Sequence, residues 1–244
     1  MDWTKAKTIL ILALLAANIF LIITFVFIRA EDSPNEQMLE EETIALLEQK
    51  NVYIKNDLPT KHSKMPVLIV EYDRLDPNVL QEKLWAQVPL MDNDQSEEKI
   101  LQITEDFLKN CGIWGENVHL DRVEKQGLST KVYYKNIFEG MKIEDSYIIC
   151  NIENGQITEV QRYWLNPIEI GRTKKTTISA SVALINFISE KDDSDVILVE
   201  DMEMVYWLDS TAYGMETTIS DTAFPAWKIT YNGGQIKHIP AYVD

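Results

Sequence analysis

Histidine and glycine are scarce in this chain, and their scarcity argues against several kinds of catalytic site. Its three histidines, His62, His119 and His238, have neither the His-Glu-x-x-His spacing nor another spacing typical of zinc ligands. Nine glycines provide little material for a phosphate-binding loop, and no serine lies in a nucleophile elbow. The sequence therefore predicts a protein that is not an enzyme, with no catalytic, cofactor-binding or metal-binding residues.

Two acidic runs, at 92–95 and 192–195, also lack the pattern of a calcium loop. Counting from Asp92, the position of the turn glycine holds Glu97 and that of the closing glutamate holds Ile103. The second run fails at the same two positions. Both runs are interpreted as solvated loops.

Basic residues are outnumbered, with 23 Lys and Arg against 39 Asp and Glu. Residues 1–29 hold three of the bases and one of the acids, so residues 30–244 carry 20 against 38. Such a balance opposes binding to nucleic acid or to anionic lipid, because both rely on Lys and Arg to neutralise phosphates. It excludes a nucleic-acid-binding function.

Cysteine is limited to Cys111 and Cys150. Cys111 follows a predicted helix, and Cys150 lies in a predicted strand. A disulfide is possible if this region is outside the cell, and two buried free thiols are an equally good interpretation because both cysteines have apolar neighbours. A catalytic cysteine is not expected.

A long apolar run is present near the start of the chain. Residues 9–28 contain only two polar side chains, Asn18 and Thr24. At about 1.5 Å per residue, a helix of this length spans a bilayer core of about 30 Å. A cleavable signal has a shorter apolar region and a small-x-small site, which residues 28–31 do not provide. We therefore predict a retained transmembrane helix.

Charges on either side of the run indicate its orientation. Lys5 and Lys7 precede it, and acidic residues at 31, 32, 36 and 40 follow it. The positive-inside tendency places the N-terminus in the cytoplasm and residues 30–244 outside the cell membrane.

The predicted membrane helix has two distinct faces. Small residues form one stripe, and at about 100° per residue Asn18 lies about 100° or more away from it. The stripe consists of Ala6, Ala13, Ala17 and Thr24. Small side chains allow close helix packing in lipid, and a carboxamide there gains from a partner on another helix. Our hypothesis is that the two faces bind two partner helices. The alternative is an ordinary anchor in which Asn18 bonds within its own helix.

Hydrophobic periodicity predicts an α+β fold for the remainder. Helices are expected at 36–50, with Leu39, Leu46 and Leu47 on one stripe, and at 78–85, 97–110 and 180–189. Strands are expected at 52–54, 67–70, 118–123, 131–138, 147–153, 196–200 and 204–208, and residues 91–95 as a polar loop. Asn154 and Gly155 predict a two-residue hairpin turn, and the segment KITYNGGQIKHI predicts a second hairpin.

An internal repeat is also predicted. A shift of 79 residues places Gly155, Gln156, Ile157 and Tyr163 on Gly234, Gln235, Ile236 and Tyr242. Helix, strands and hairpin recur in the same order. We therefore predict two tandem similar modules, each a helix packed on an antiparallel sheet. The predicted divisions are an anchor at 1–29, a helix and strands at 30–95, and modules at 96–166 and 167–244.

The opening MDWTKAKTILILALLAANIFLI resembles the N-terminus of the YycI (WalI) family of Gram-positive bacteria. That family typically begins Met-Asp-Trp, followed by a lysine-containing turn and an apolar span with a segment like Asn18–Leu21. The segments LLEQKNVYIKNDLP, KMPVLIVEYDRL and FPAWKITYNGGQIKHIPAYVD are similar to the family as well. The resemblance extends over essentially the whole chain.

The resemblance implies an accessory protein of a two-component system that controls cell-wall metabolism. Family members and the related YycH (WalH) proteins are single-span membrane proteins that associate with the sensor histidine kinase YycG (WalK) and modulate it. The resemblance also implies that the external region shares modules with YycH and that the chain has no catalytic residue. The alternatives are a membrane-tethered extracytoplasmic inhibitor and a wall-polymer binding module, for which Trp85, Trp114 and Trp207 are candidate aromatics.

Overall fold

A computed structural model describes helical positions 7, 11, 13–15 and 17–22, and residues 42–59, 64–86, 96–189, 195–208 and 220–242. The chain divides into two compact units. The first unit contains Met1–Ile54 and Lys191–Leu198, and the second contains Lys55–Glu190 and Val199–Asp244. The polar loop predicted at 91–95 lies outside the described residues.

The first unit contains helix α1 at 42–49 and strand β1 at Val52–Ile54. The carbonyl of Asn51 accepts a hydrogen bond of 3.0 Å from the amide of Ile197. Leu47 is fully buried, but Leu46 is exposed, so the predicted apolar stripe was wrong at Leu46. Successive residues lie about 100° apart on a helix, and only one of these two leucines is turned inward. Leu39 lies outside the described residues.

The second unit contains most of the regular structure. In chain order its elements are β2 (Leu68–Tyr72), α2 (Pro77–Trp85), α3 (Glu97–Asn110), β3 (Val118–Gln126), β4 (Ser129–Phe138), β5 (Met141–Glu153), β6 (Gln156–Tyr163), β7 (Leu165–Ile170), α4 (Ala180–Ser189), β8 (Ile197–Trp207, which begins in the first unit), β9 (Ser220–Tyr231) and β10 (Gln235–Pro240).

These strands form a large mixed sheet with the order β3-β4-β5-β8-β9-β2-β7. In addition, β6 pairs with β5 and β10 pairs with β9. Every pairing between these strands is antiparallel except that of β5 with β8, which consists of the pair Ile143 and Tyr206. The α+β class predicted from the sequence is confirmed as a mixed α+β fold. The division into tandem modules stays a prediction.

Helix α3 packs its apolar face on one side of the strands that follow it. Its buried residues, Ile100, Thr104, Phe107 and Leu108, recur at intervals of three and four, as expected for one helix face. They share a core with the alternate residues Val132, Tyr134, Ile148, Cys150 and Ile152 of β4 and β5. Gly112, with φ +70°, follows the helix in the left-handed conformation that often ends a helix.

Helix α4 precedes the strands that end in β10. Trp227 on β9 is buried, and its indole Nε1 donates a hydrogen bond of 2.9 Å to the carbonyl of Ile178, just before α4. Phe187 on α4 meets Tyr231 edge to face, with ring centroids 5.0 Å apart. Trp227, Ile229 and Tyr231 alternate along β9, so one face of this strand is directed towards α4.

Both predicted hairpins are confirmed. Asn154 and Gly155 have φ of 50° and 73° between the paired residues Glu153 and Gln156. The second hairpin turns through Asn232, Gly233 and Gly234, all with positive φ. Such φ values match the twist of the flanking strands.

Several predicted strand limits were wrong. The two strands expected at 196–200 and 204–208 are one strand, β8, with an irregularity between Val199 and Asp201 that interrupts the alternation. Strand β7 was missed because Pro167 argues against a strand, although this strand lies at the end of the sheet order, where proline is tolerated. Strand β5 begins at Met141 instead of 147, since charged residues there pair within the sheet.

Candidate functional site

The first candidate site is the apolar N-terminal helix. Ala13, Ala17 and Asn18 are helical and exposed within this chain. Large apolar side chains around them are exposed too, for example Phe20 at 66%. The carboxamide Nδ2 of Asn18 donates a hydrogen bond of 2.9 Å to the carbonyl of Leu14. This is the bond of the alternative hypothesis, and a carboxamide with a second N–H and an acceptor oxygen can also bond to another helix.

Two members of the predicted small-residue stripe, Ala6 and Thr24, lie outside the described residues. The partner-binding role of the stripe and of Asn18 stays a prediction. In the part of the chain that the structure describes, no helix has both the length and the apolar character needed to cross a membrane.

The second candidate site is a run of charged side chains in the second unit, which we call the ionic chain. It comprises Glu124, Arg122, Asp121, Lys142, Glu203, Lys228, Glu144 and Lys135, in order of contact. The members of the ionic chain lie on the face of the sheet opposite the helices. On β4, for example, Tyr134 contributes to the core with α3, so its neighbour Lys135 points to the other face. Trp227 likewise faces α4, and Lys228 points away from it.

The ionic chain begins on β3. The Nε of Arg122 lies 2.7 Å from Oε1 of Glu124, and its NH1 nitrogen lies 2.9 Å from Oδ2 of Asp121. The guanidinium covers the ring of Tyr133 at 3.7 Å, and the hydroxyl of Tyr133 donates a hydrogen bond of 2.9 Å to Glu124. Lys142 on β5 continues the run, with its Nζ 2.9 Å from Oδ1 of Asp121.

The ionic chain then passes to the strands after α4. Nζ of Lys142 lies 3.3 Å from Oε2 of Glu203 on β8, and Nζ of Lys228 on β9 lies 3.4 Å from Oε1 of the same residue. Lys228 also lies 2.9 Å from Oε1 of Glu144 on β5. Lys135 on β4 donates to the carbonyl oxygen of Glu144 and lies 3.9 Å from its carboxylate. Opposite charges alternate across five strands.

The centre of the ionic chain is shielded from water. The side chains of Lys135 and Lys228 are 13% exposed, and that of Glu144 is 10% exposed. Burial lowers the pKa of Lys135, and the Glu144 carboxylate offsets only part of that effect. Burial alone would raise the pKa of Asp121, but its bonds with Lys142 and Arg122 outweigh this, so the pKa is lowered. Charges here depend on their partners, because ions in a dry environment are costly to leave unpaired.

Among the described residues no group of three or more His, Cys, Asp and Glu side chains is arranged to hold a metal ion. His119 is exposed on β3, His238 lies on β10, and His62 lies outside the described residues. These positions give no support to a metal site.

Both cysteines are free and buried in the core beside α3, as in the second of the two sequence interpretations. Burial raises the pKa of the Cys150 thiol to about 12, and the nearby Cys111 adds to the effect. Burial also raises the pKa of Cys111. Thiols that stay protonated are poor nucleophiles.

The three candidate tryptophans have different surroundings. Trp85, at the end of α2, is 78% exposed. Trp114 packs against the core and meets Tyr134 edge to face at 5.5 Å. Trp207 is half-buried and stacks on His238. Of these three side chains, Trp85 alone is exposed.

Sequence reasoning missed the ionic chain. Its members are spread from position 121 to position 228, so no local spacing identifies them. One available signal was the alternation of Lys131, Tyr133 and Lys135 with buried residues on β4, which marks a polar face without naming its partners.

Comparison with known proteins identifies the family. No curated protein matches the chain. Among solved structures, the Bacillus megaterium YpeB C-terminal domain is similar with 11% sequence identity and a TM-score of 0.35, over 86% of this chain and 93% of that one. The family model described as YycI protein matches residues 31–242. The chain therefore belongs to the YycI family, whose members are membrane-anchored, non-enzymatic regulators of the YycG kinase.

Proposed function

We propose that this chain is a single-span membrane protein that binds the sensor histidine kinase YycG (WalK) and the co-regulator YycH (WalH), and so modulates signalling that controls cell-wall metabolism. Its N-terminus lies in the cytoplasm and residues 30–244 lie outside. The single observation that carries the proposal is the match of residues 31–242 to the YycI family. The apolar run at 9–28 supplies the anchor.

The membrane helix is proposed to bind both partners, one on each face. The exposed apolar side chains beside Asn18 support this, because apolar side chains on the surface of a helix can pack against lipid or another helix. Ala6, Ala13, Ala17 and Thr24 form the close-packing face, and Asn18 bonds across the other.

Regulation follows from differential binding. A partner shifts the kinase between its active and inactive states only if it binds one state more tightly. A difference of about 1–3 kcal/mol changes the equilibrium by about 5–150-fold. One hydrogen-bonded helix pair, at about 0.6–2 kcal/mol, supplies energies of this order.

The external region is proposed to consist of a segment at 30–95 and tandem modules at 96–166 and 167–244. The order of elements supports this division: α3 precedes the antiparallel strands β3–β6, and α4 precedes the antiparallel strands β8–β10. Each series ends in a hairpin whose turn contains asparagine and glycine with positive φ.

The decisive experiment replaces residues 8–28 with an unrelated membrane helix of the same topology in the full-length protein. We expect co-purification with YycG and YycH to be lost, together with control of kinase autophosphorylation. If both partners and the control are retained, the membrane helix is not the binding element.

Point variants separate the two faces. We expect Asn18→Leu to lose one partner and the double variant Ala13→Leu/Ala17→Leu to lose the other. Ile19→Leu, which changes neither face, is the matched control and keeps both. Retention of both partners by every variant would contradict the two-face proposal.

A further inference from the structure

His238 lies beside the centre of the ionic chain. On β10 it is paired in register with Lys228 of β9. Its ring stacks on Trp207 of β8, with centroids 5.3 Å apart and an interplanar angle of 11°. The Nε2 atom is buried and has no hydrogen-bond partner among the described residues. The imidazole is therefore held in place with one ring nitrogen unsatisfied.

Charged groups from three other strands act on this imidazole. Glu144 on β5 favours its cationic form, while Lys228 on β9 and Lys135 on β4 oppose it. Glu203 on β8 binds Lys228 and so belongs to the same set. Burial is the largest influence, and with the two lysines it lowers the pKa of His238.

Glu144 is the common partner of the surrounding cations. It binds Lys228 and Lys135, so a proton on His238 would place a third cation around one carboxylate. Backbone pairing contributes little to holding β5 against β8, because the register of these two strands consists of the pair Ile143 and Tyr206. Three polar links between strands β3–β6 and strands β8–β10 lie here: Lys228 with Glu144, Lys142 with Glu203, and the amide of Leu208 with the carboxylate of Asp145.

We propose that His238 makes this junction sensitive to pH: on acidification the protonated imidazole competes with Lys228 and Lys135 for Glu144 and loosens the contact between β5 and β9. A histidine that is neutral in the folded state binds fewer protons than in the unfolded chain. The junction is therefore fully stabilised above the ordinary histidine pKa of 6.5 and weakens as the pH falls below it.

Hydrogen exchange on the full-length protein in detergent micelles tests the proposal. Between about pH 7.5 and about pH 5, after correction for intrinsic exchange, we expect peptides from β5, β9 and β10 to lose protection by about fivefold or more relative to α3. His238→Gln cannot take the proton and should remove this difference. His119→Gln, the same change at an exposed histidine, should leave it in place.

Nuclear magnetic resonance of the unaltered protein provides an independent measurement, which decides the matter even if His238→Gln fails to fold. The imidazole of His238 should titrate below 6.5. A midpoint at or above that value would overturn the proposal. So would an exchange difference in His238→Gln equal to that of the unaltered protein.

Discussion

Nζ of Lys228 lies 2.9 Å from Oε1 of Glu144 and 3.1 Å from its Oε2. This contact joins β9 to β5, strands that share no ladder of their own. Both side chains are largely buried, so each charge depends mainly on charged neighbours for compensation. The pair lies between two series of strands that each have a helix on the opposite face.

Removal of the Glu144 charge should strongly destabilise the fold. Glu144→Gln leaves Lys228 and Lys135 without their common carboxylate in a poorly hydrated place, at a cost of about 3 kcal/mol. Urea denaturation of the full-length protein in micelles measures this loss in the free energy of unfolding. Glu153→Gln, the same change at an exposed position of β5, is the matched control and should change stability by less than about 0.5 kcal/mol. Equal losses in both variants would show that the ion pair is not important.

The pairing of Asp121 with Lys142 should make the protein sensitive to strong acid. Because the folded-state pKa of Asp121 lies below 3.8, its stabilisation is complete above that value and disappears as the pH falls through the lowered pKa. Lys142→Met should remove about 1 kcal/mol at neutral pH and flatten this part of the pH profile. Thermal unfolding at a series of acidic pH values measures both effects. Lys125→Met, which alters an exposed pair with Glu97, should leave the profile unchanged.

Neither thiol should react with a maleimide in the folded protein near neutral pH. Cys150 is fully buried, and its pKa of about 12 leaves almost no thiolate. Both thiols should react once the chain is unfolded in denaturant, which mass spectrometry counts directly. Rapid modification of Cys150 under native conditions would contradict its placement in the core.

Replacement of Gly171 by alanine should destabilise the contact between the segments before β2 and after β7. A Cβ atom at this position would lie 2.6 Å from Cγ2 of Val67 and 3.1 Å from its carbonyl oxygen. We expect a loss of about 1–3 kcal/mol in chemical denaturation. At Gly115 a Cβ meets no atom within 4 Å, so Gly115→Ala should be neutral or slightly stabilising. A neutral Gly171→Ala would refute the close approach.

Local signals in the sequence identified most helices and both hairpins. Asn154 and Gly155 define a turn because few other residues accept their φ values, and α3 is recognisable from one apolar face. The limits of the strands were harder to predict from the sequence. For example, β8 contains Glu200, Asp201 and Glu203, whose charges interrupt the apolar pattern that predicts a strand. The partners of Glu203, which are Lys142 and Lys228, lie on other strands, and the sequence does not record those pairings.

The two candidate sites also differ in how far they could be predicted from the sequence. The apolar run and Asn18 are contiguous, and they could be found by counting residues. The ionic chain requires Lys142, Glu203 and Lys228 to be brought together by the sheet, which no local rule anticipates.

Strand β2 lies between β7 and β9, and its Leu68 and Val70 are fully buried. Strand β2 is therefore translated early, whereas β9, one of the two strands that pair with it, is translated near the end of the chain. Such distant pairings slow folding and leave apolar segments uncovered in the meantime. An interrupted translation product would expose Leu68 and Val70, which makes this strand a natural target for chaperones and proteases that survey nascent chains.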